Sequence, residues 1–233
     1  MLRWRKYMAI VRDARCGMKN FRREMLVLGG AVLFLTGCSK IELEERCFPL
    51  LVVVDYESEQ KEVSFCAGFP RSDNSGGSTG QTTELQVATV MGEDFEESKE
   101  RYEENLNKVA DYNHLKVLVL GERLLEDKEA YDKMLEELAE SEEFPRNTYV
   151  CVVSDTGALL EIDKKLPQDL GTYLEEFLNN HEEKKLLTLG DLLDEKENRI
   201  LELYAPYLIP EDAYVRWEGF CGIGEKQYFF PPK

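Results

Sequence analysis

Residues 115–121 read LKVLVLG. Apart from Lys116 and the closing glycine the run is aliphatic. It lacks the polar alternation of a strand with one wet face, so it is expected to lie in a sheet covered on both sides. The flanks repeat the pattern. Residues 148–153 (TYVCVV) form another such run, and between the two Tyr131, Met134, Leu135 and Leu138 recur at helical spacing. Upstream, residues 85–90 read as a strand, and Phe95, Tyr102, Leu106 and Val109 fall on one face of a helix whose other face is crowded with Glu and Lys. Strands alternating with helices of this length imply an α/β fold, a mixed, largely parallel sheet covered by amphipathic helices.

The remaining segments fit around that unit. Residues 48–55 (FPLLVVVD) read as a buried strand, with residues 62–67 (EVSFCA) as its hairpin partner across a turn at 57–61. Residues 71–83 (RSDNSGGSTGQTT) hold no large apolar side chain and are expected to form a flexible, solvated loop. Two ligand readings of this loop fail. A phosphate loop needs Lys after its last glycine, where Gln81 stands, and a calcium loop starting at Asp73 would have Gly77 at a ligand position and Ser78 where the turn glycine is required.

Beyond residue 165 the character changes. Leu170, Tyr173, Leu174, Phe177 and Leu178 form an apolar stripe, and Thr188 is placed to cap a short helix carrying Leu189, Leu192 and Leu193. Residues 198–208 are ambiguous, although Pro206 and Pro210 argue against a continuous helix, and residues 213–230 read as a final hairpin around 222–226. The expected division is an α/β domain over 48–165 followed by a smaller helix-plus-hairpin subdomain over 166–233.

Charge separates the first 37 residues from the rest. The chain has 29 Lys and Arg against 46 Asp and Glu, but eight of the basic residues and only two of the acidic ones precede Cys38. The remaining 21 basic and 44 acidic residues leave a net charge of -23, which repels nucleic-acid backbones. Within the basic segment, residues 25–35 (MLVLGGAVLFL) follow Arg22 and Arg23 and precede Leu35-Thr36-Gly37-Cys38. The apolar run is too short for a typical spanning helix and fits a signal peptide over 1–37, initiated at Met1 or Met18. The tetrapeptide looks like a bacterial lipobox. On this reading Cys38 carries the lipid, the mature chain begins there outside the cytoplasmic membrane, and residues 38–47 are its lipidated N-terminus and spacer.

Removing Cys16 and Cys38 leaves Cys47, Cys66, Cys151 and Cys221, with no CxxC spacing and three possible full pairings. Cys66 and Cys151 lie in apolar runs, where buried free thiols are the commoner state. No GxSxG, HExxH or GxGxxG occurs. Only His114 and His181 are available as histidines, and the paired glutamates along the helices read as solvated faces. No catalytic residue, metal site or cofactor is expected. The one aromatic concentration is Tyr204, Tyr207, Tyr214, Trp217 and Phe220, more readily core than ligand cage.

Several segments resemble, in order, the lipoprotein C-subunit family of bacterial spore germinant receptors, the Ger(x)C spore germination proteins. The lipobox is followed by Glu42-Leu43-Glu44-Glu45, similar to the family's acidic stretch, with Ser39 where the family usually has Trp. Val53-Val54-Asp55-Tyr56-Glu57 and Phe69-Pro70 resemble its first hairpin. Asn113-His114-Leu115-Lys116, the apolar strand and Gly121-Glu122 resemble its most specific motif, and Glu143-Phe144-Pro145-Arg146-Asn147 its lead into the next strand. His114, Lys116, Glu122 and Arg146 are thereby family-matching residues. The resemblance covers the family's N-terminal region; full members continue through a further C-terminal domain, which implies a short paralogue or a truncated reading frame here.

The resemblance implies a non-enzymatic, lipid-anchored receptor subunit at the outer face of the cytoplasmic, inner spore membrane. It would assemble with two membrane-embedded germinant receptor subunits. The alternative is an envelope solute-binding lipoprotein, with Tyr207, Tyr214 and Trp217 lining a small-molecule pocket.

Overall fold

Uninterrupted aliphatic strands need cover on both faces, and the computed structural model supplies it. The structure describes residues 43–71, 88–181, 186–198, 203–223 and 229–230. The expected signal segment, Cys38, nearly all of the 71–83 loop, residues 85–87 and most of the turn at 222–226 lie outside the described residues.

The strands are β1 (Arg46–Cys47), β2 (Leu51–Glu57), β3 (Glu62–Gly68), β4 (Val90–Gly92), β5 (Val109–Ala110), β6 (Val117–Gly121), β7 (Tyr149–Val153), β8 (Leu203–Pro210), β9 (Val215–Ile223) and β10 (Phe229–Phe230). Among the described residues eight of them form one sheet in the order β10-β9-β8-β7-β6-β2-β3-β4, and β1 and β5 form a separate parallel pair. The sheet is mixed. Its centre, β8-β7-β6-β2, is parallel, and both margins are antiparallel.

The helices are α1 (Phe95–Glu104), α2 (Glu122–Glu126), α3 (Lys128–Glu140), α4 (Thr156–Asp163), α5 (Leu170–Asn179) and α6 (Leu189–Asn198). Alternate residues of the central strands feed two cores. Val52, Val54, Leu118, Leu120, Val150 and Val152 pack with Phe95 and Tyr102 of α1, Met134 and Leu138 of α3 and Leu189 and Leu192 of α6. Leu51, Val53, Val117, Val119, Cys151 and Val153 pack with Leu159 and Ile162 of α4 and Leu170, Leu174 and Leu178 of α5. Thr188 caps α6 as expected, its hydroxyl accepting from the Asp191 amide at 3.2 Å.

Several expectations are corrected. The helix expected to carry Leu106 and Val109 stops at Glu104, where the Asn105 amide turns back onto the Glu103 and Tyr102 carbonyls, and Val109 instead pairs with Arg46 between β5 and β1. The spacer ends sooner than expected, because Arg46 and Cys47 are already strand. The buried strand expected from residue 48 begins at Leu51, and β4, expected at 85–90, is described from Val90. The ambiguous 198–208 stretch yields β8. Pro206 is tolerated there because the β7 register starts only at Tyr207, so its missing N–H falls outside that ladder. Helix α4 was not anticipated. The closing hairpin is present as antiparallel β9 and β10, and β8 to β10 belong to the same sheet as β2 and β6.

Candidate functional site

In an open sheet with a parallel centre, ligand sites favour the carboxyl ends of the strands. There β2 delivers Asp55, 2% exposed, beside the end of its parallel neighbour β6. Gly121, the last residue of β6, makes room for it: a Cβ at that position would lie 2.1 Å from the Asp55 carboxyl carbon and Oδ1. Only glycine fits. The chain then enters α2, which places Arg123 so that its Nε and Nη2 donate to Asp55 Oδ2 at 3.1 and 2.7 Å. From the start of α4 the Thr156 hydroxyl donates to the same oxygen at 2.8 Å, and the Tyr56 amide donates to Oδ1 at 2.9 Å.

One buried carboxylate therefore ties together β2, α2 and α4. Arg123 extends the network outward through Nη1 to Glu57 Oε2 at 2.7 Å, and its hydrogen bonds to Asp55 raise its already high pKa further. Next to it Glu122 Oε2 accepts from the Tyr207 hydroxyl of β8 at 2.9 Å, and burial followed by that carboxylate pushes the Tyr207 pKa up to about 12. Among the described residues of this arrangement, Asp55, Glu57 and Glu122 each already accept a hydrogen bond. The Thr156 hydroxyl is buried and donates to a carboxylate already held by a guanidinium and an amide, so what this edge does chemically is hold elements in register.

The family-matching residues lie apart from one another. His114 ends the 3₁₀ turn Tyr112–His114 and meets the Phe48 ring edge-on, with centroids 5.0 Å apart. Lys116 Nζ pairs with Glu175 of α5 at 2.6 Å, and Arg146 joins the lead into β7 to the Gly190 carbonyl at 3.3 Å and to Asp194 of α6. His114, Lys116 and Arg146 stand at the amino ends of the central strands, whereas Glu122 stands at the carboxyl ends. Each contacts a segment distant from it in sequence.

The pocket lining expected for a solute binder is contradicted. Tyr207 packs in the α1/α3/α6 core and Trp217 against the α4/α5 core, so the sheet separates them, and Tyr214 sits exposed in the turn after β8. Trp217 instead stacks on His181 at 5.2 Å and meets Phe220 edge-on at 5.3 Å, with Phe177 beside it. These partners, Phe177 in α5 and His181 just past its end, are distant in sequence and were not anticipated.

Sequence reasoning also missed Asp55, Arg123 and Thr156 as a unit. A signal was present: an aspartate ending one apolar strand and a glycine ending its parallel neighbour. The four cysteines of the described fold are buried and free. Among the described residues no group of three or more His, Cys, Asp or Glu is arranged to hold a metal ion, and no helix is long and apolar enough to cross a membrane. Residues 39–210 match the family described as spore germination protein N-terminal domain. No curated protein and no solved structure matches the chain.

Proposed function

Because the chain belongs to the spore germination protein N-terminal domain family, we propose that it is a lipid-anchored, non-enzymatic subunit of a spore germinant receptor. The observation that carries this reading is the position of the match. It starts at Ser39, immediately after the cysteine of Leu35-Thr36-Gly37-Cys38. A lipobox abutting the family domain is the order expected of a chain cut before Cys38 and acylated there. A diacylated cysteine supplies the two chains that stable anchoring requires and places the domain at the outer face of the cytoplasmic membrane.

The Asp55–Arg123 network is committed to holding β2, α2 and α4, and in this reading it has a structural role. In this reading His114, Lys116, Glu122 and Arg146 are positioning residues that fix the surface offered to two membrane-embedded receptor subunits. The test is affinity co-purification from spore membranes with a tag at Lys233, which leaves the lipobox intact. Two polytopic subunits are expected to accompany the protein, and recovery of the anchored protein alone would count against the receptor role. Cys38→Ala is expected to release the cleaved protein from membranes; retention after cleavage would refute the anchor.

A further inference from the structure

If Cys38 carries the lipid, the fold has few ways to face the bilayer. Cys38 precedes Leu43, where the described fold begins, by five residues, a reach of at most about 18 Å fully extended. The chain then enters β1, which is fixed at once. Arg46 and Cys47 pair in parallel with Val109 and Ala110, the Asp111 amide donates to the Cys47 carbonyl at 2.9 Å, and Arg46 pairs with Asp111 at 2.6 Å. The β1/β5 pair lies directly ahead of the amino ends of β2 and β6, at the end of the sheet opposite Asp55.

The chemistry of that end differs from the rest of the molecule. Residues 105–116 (NLNKVADYNHLK) carry Lys108, Lys116 and one acid, Asp111; Asp111 is paired with Arg46 and Lys116 with Glu175, which leaves Lys108 as the lysine outside those pairs, in a chain whose part from Cys38 onward is strongly acidic. Asn105, Asn107, Lys108, Asn113 and His114 are exposed. Val109, 48% exposed, is one of two exposed large hydrophobic residues among those described; the other, Tyr214 at 54%, stands in the turn after β8, at the Asp55 end. An exposed aliphatic side chain beside a lysine, on the strand that clasps the tether, fits lipid headgroups. Glu44 and Glu45 in the preceding turn are exposed as well and repel anionic headgroups, which confines such a contact to Lys108 and Val109.

We propose that the end of the fold formed by β1, β5 and residues 105–116 is seated on anionic lipid headgroups through Lys108 and Val109, so that the Asp55–Arg123 edge faces away from the bilayer. This rests on the anchoring at Cys38 proposed above. The test places an environment-sensitive fluorophore on Val109→Cys or Tyr214→Cys in the full-length lipidated protein, in phosphatidylcholine vesicles containing phosphatidylglycerol and a shallow spin-labelled lipid. The native thiols at 47, 66, 151 and 221 are buried, which leaves the introduced cysteine as the reactive one in the fold.

Quenching at position 109 is expected to exceed that at 214 several-fold and to weaken in a Lys108→Glu background. Equal quenching at both positions, stronger quenching at 214, or no effect of Lys108→Glu would overturn the proposal. Flotation of the same samples separates the two readings. Protein that does not float with the vesicles lacks the anchor and overturns both; protein that floats without a preference for position 109 overturns the orientation alone.

Discussion

A methyl group on Gly121 would have to displace the buried Asp55 carboxylate, because the space is already occupied to 2.1 Å. Gly121→Ala is therefore expected to cost at least about 3 kcal/mol, read as a fall in the urea midpoint or failure to fold, since overpacking and loss of a buried charge network coincide. Arg123→Met leaves Asp55 with only the Thr156 and Tyr56 donors. Its expected cost is about 2 kcal/mol, below that for a fully buried pair because the Arg123 side chain is 45% exposed. Glu57→Gln, at the outer end of the same network, should cost under about 1 kcal/mol. The thiols offer an independent check. Burial pushes Cys66 and Cys221 up to about 12 and raises Cys47 and Cys151 as well, so none of the four should react with Ellman's reagent in the native protein at mildly alkaline pH, and all should react in denaturant. Reaction of any of the four in the native protein would contradict the packing. The sequence pointed to buried thiols at Cys66 and Cys151 from the apolar runs around them. It did not point to the Asp55 network as a unit: the aspartate and the glycine that end neighbouring strands were visible, but contacts between residues 68 and 101 positions apart leave no local pattern that joins them to Arg123 and Thr156.

At the level of elements, aspartate starts most helices. Asp94, Asp127, Asp155 and Asp169 each accept a hydrogen bond from an amide in the first turn, of Glu97, Ala130, Ala158 and Thr172 respectively. Part of the chain's acidity thus serves helix termini, where negative charge also meets the positive end of the helix dipole. Asp169→Ala should lower stability by about 1 kcal/mol in urea unfolding, and Asp169→Asn by less, since the amide oxygen still caps. Between β8 and β9 the register slips so that Tyr207 faces Gly219 and Leu208 faces Trp217, with Glu218 left over. Gly219 has φ 147°, a conformation that side chains strain. The slip is what turns Tyr207 and Trp217 to opposite faces, and no sequence period announces it. The aliphatic strands at 51–57, 117–121 and 149–153 were legible because cover on both faces leaves an uninterrupted apolar run. By contrast α1 kept helical periodicity past its real end, since Leu106 and Val109 happen to continue the stripe while tertiary pairing claims Val109 for β5.

For the molecule as a whole, the surplus of acid sets the response to its medium. Like charges spread over a small body repel, and salt screens them within about 10 Å at 0.1 M, so the thermal midpoint should rise on moving from low to moderate salt. Particular pairs act in the other direction. Burial disfavours charge on Asp94 and Asp111, yet Lys133 with the Glu97 amide, and Arg46 with Asn113, hold their pKa values below the ordinary 3.8. A depressed folded-state pKa stabilises above the unfolded value and is lost as pH falls through the folded one. The stability difference between wild type and Asp111→Asn should therefore be full at neutral pH and shrink below pH 3.8, measured by urea titration across that range. Glu137, raised by its burial and by Asp94, contributes with the opposite sign, and its share falls as pH rises. The β1/β5 clasp also sets how the body bears load. A pull on the N-terminal spacer meets two paired residues and one ion pair before it reaches β2, which is gripped along its length by β3 and β6 and must be sheared rather than peeled. The clasp would yield first, releasing residues 43–49, at most about 25 Å of contour length, up to Leu50, whose amide and carbonyl are already bonded into the sheet, while the sheet stays whole. A tethered domain built this way has a mechanical fuse at its root.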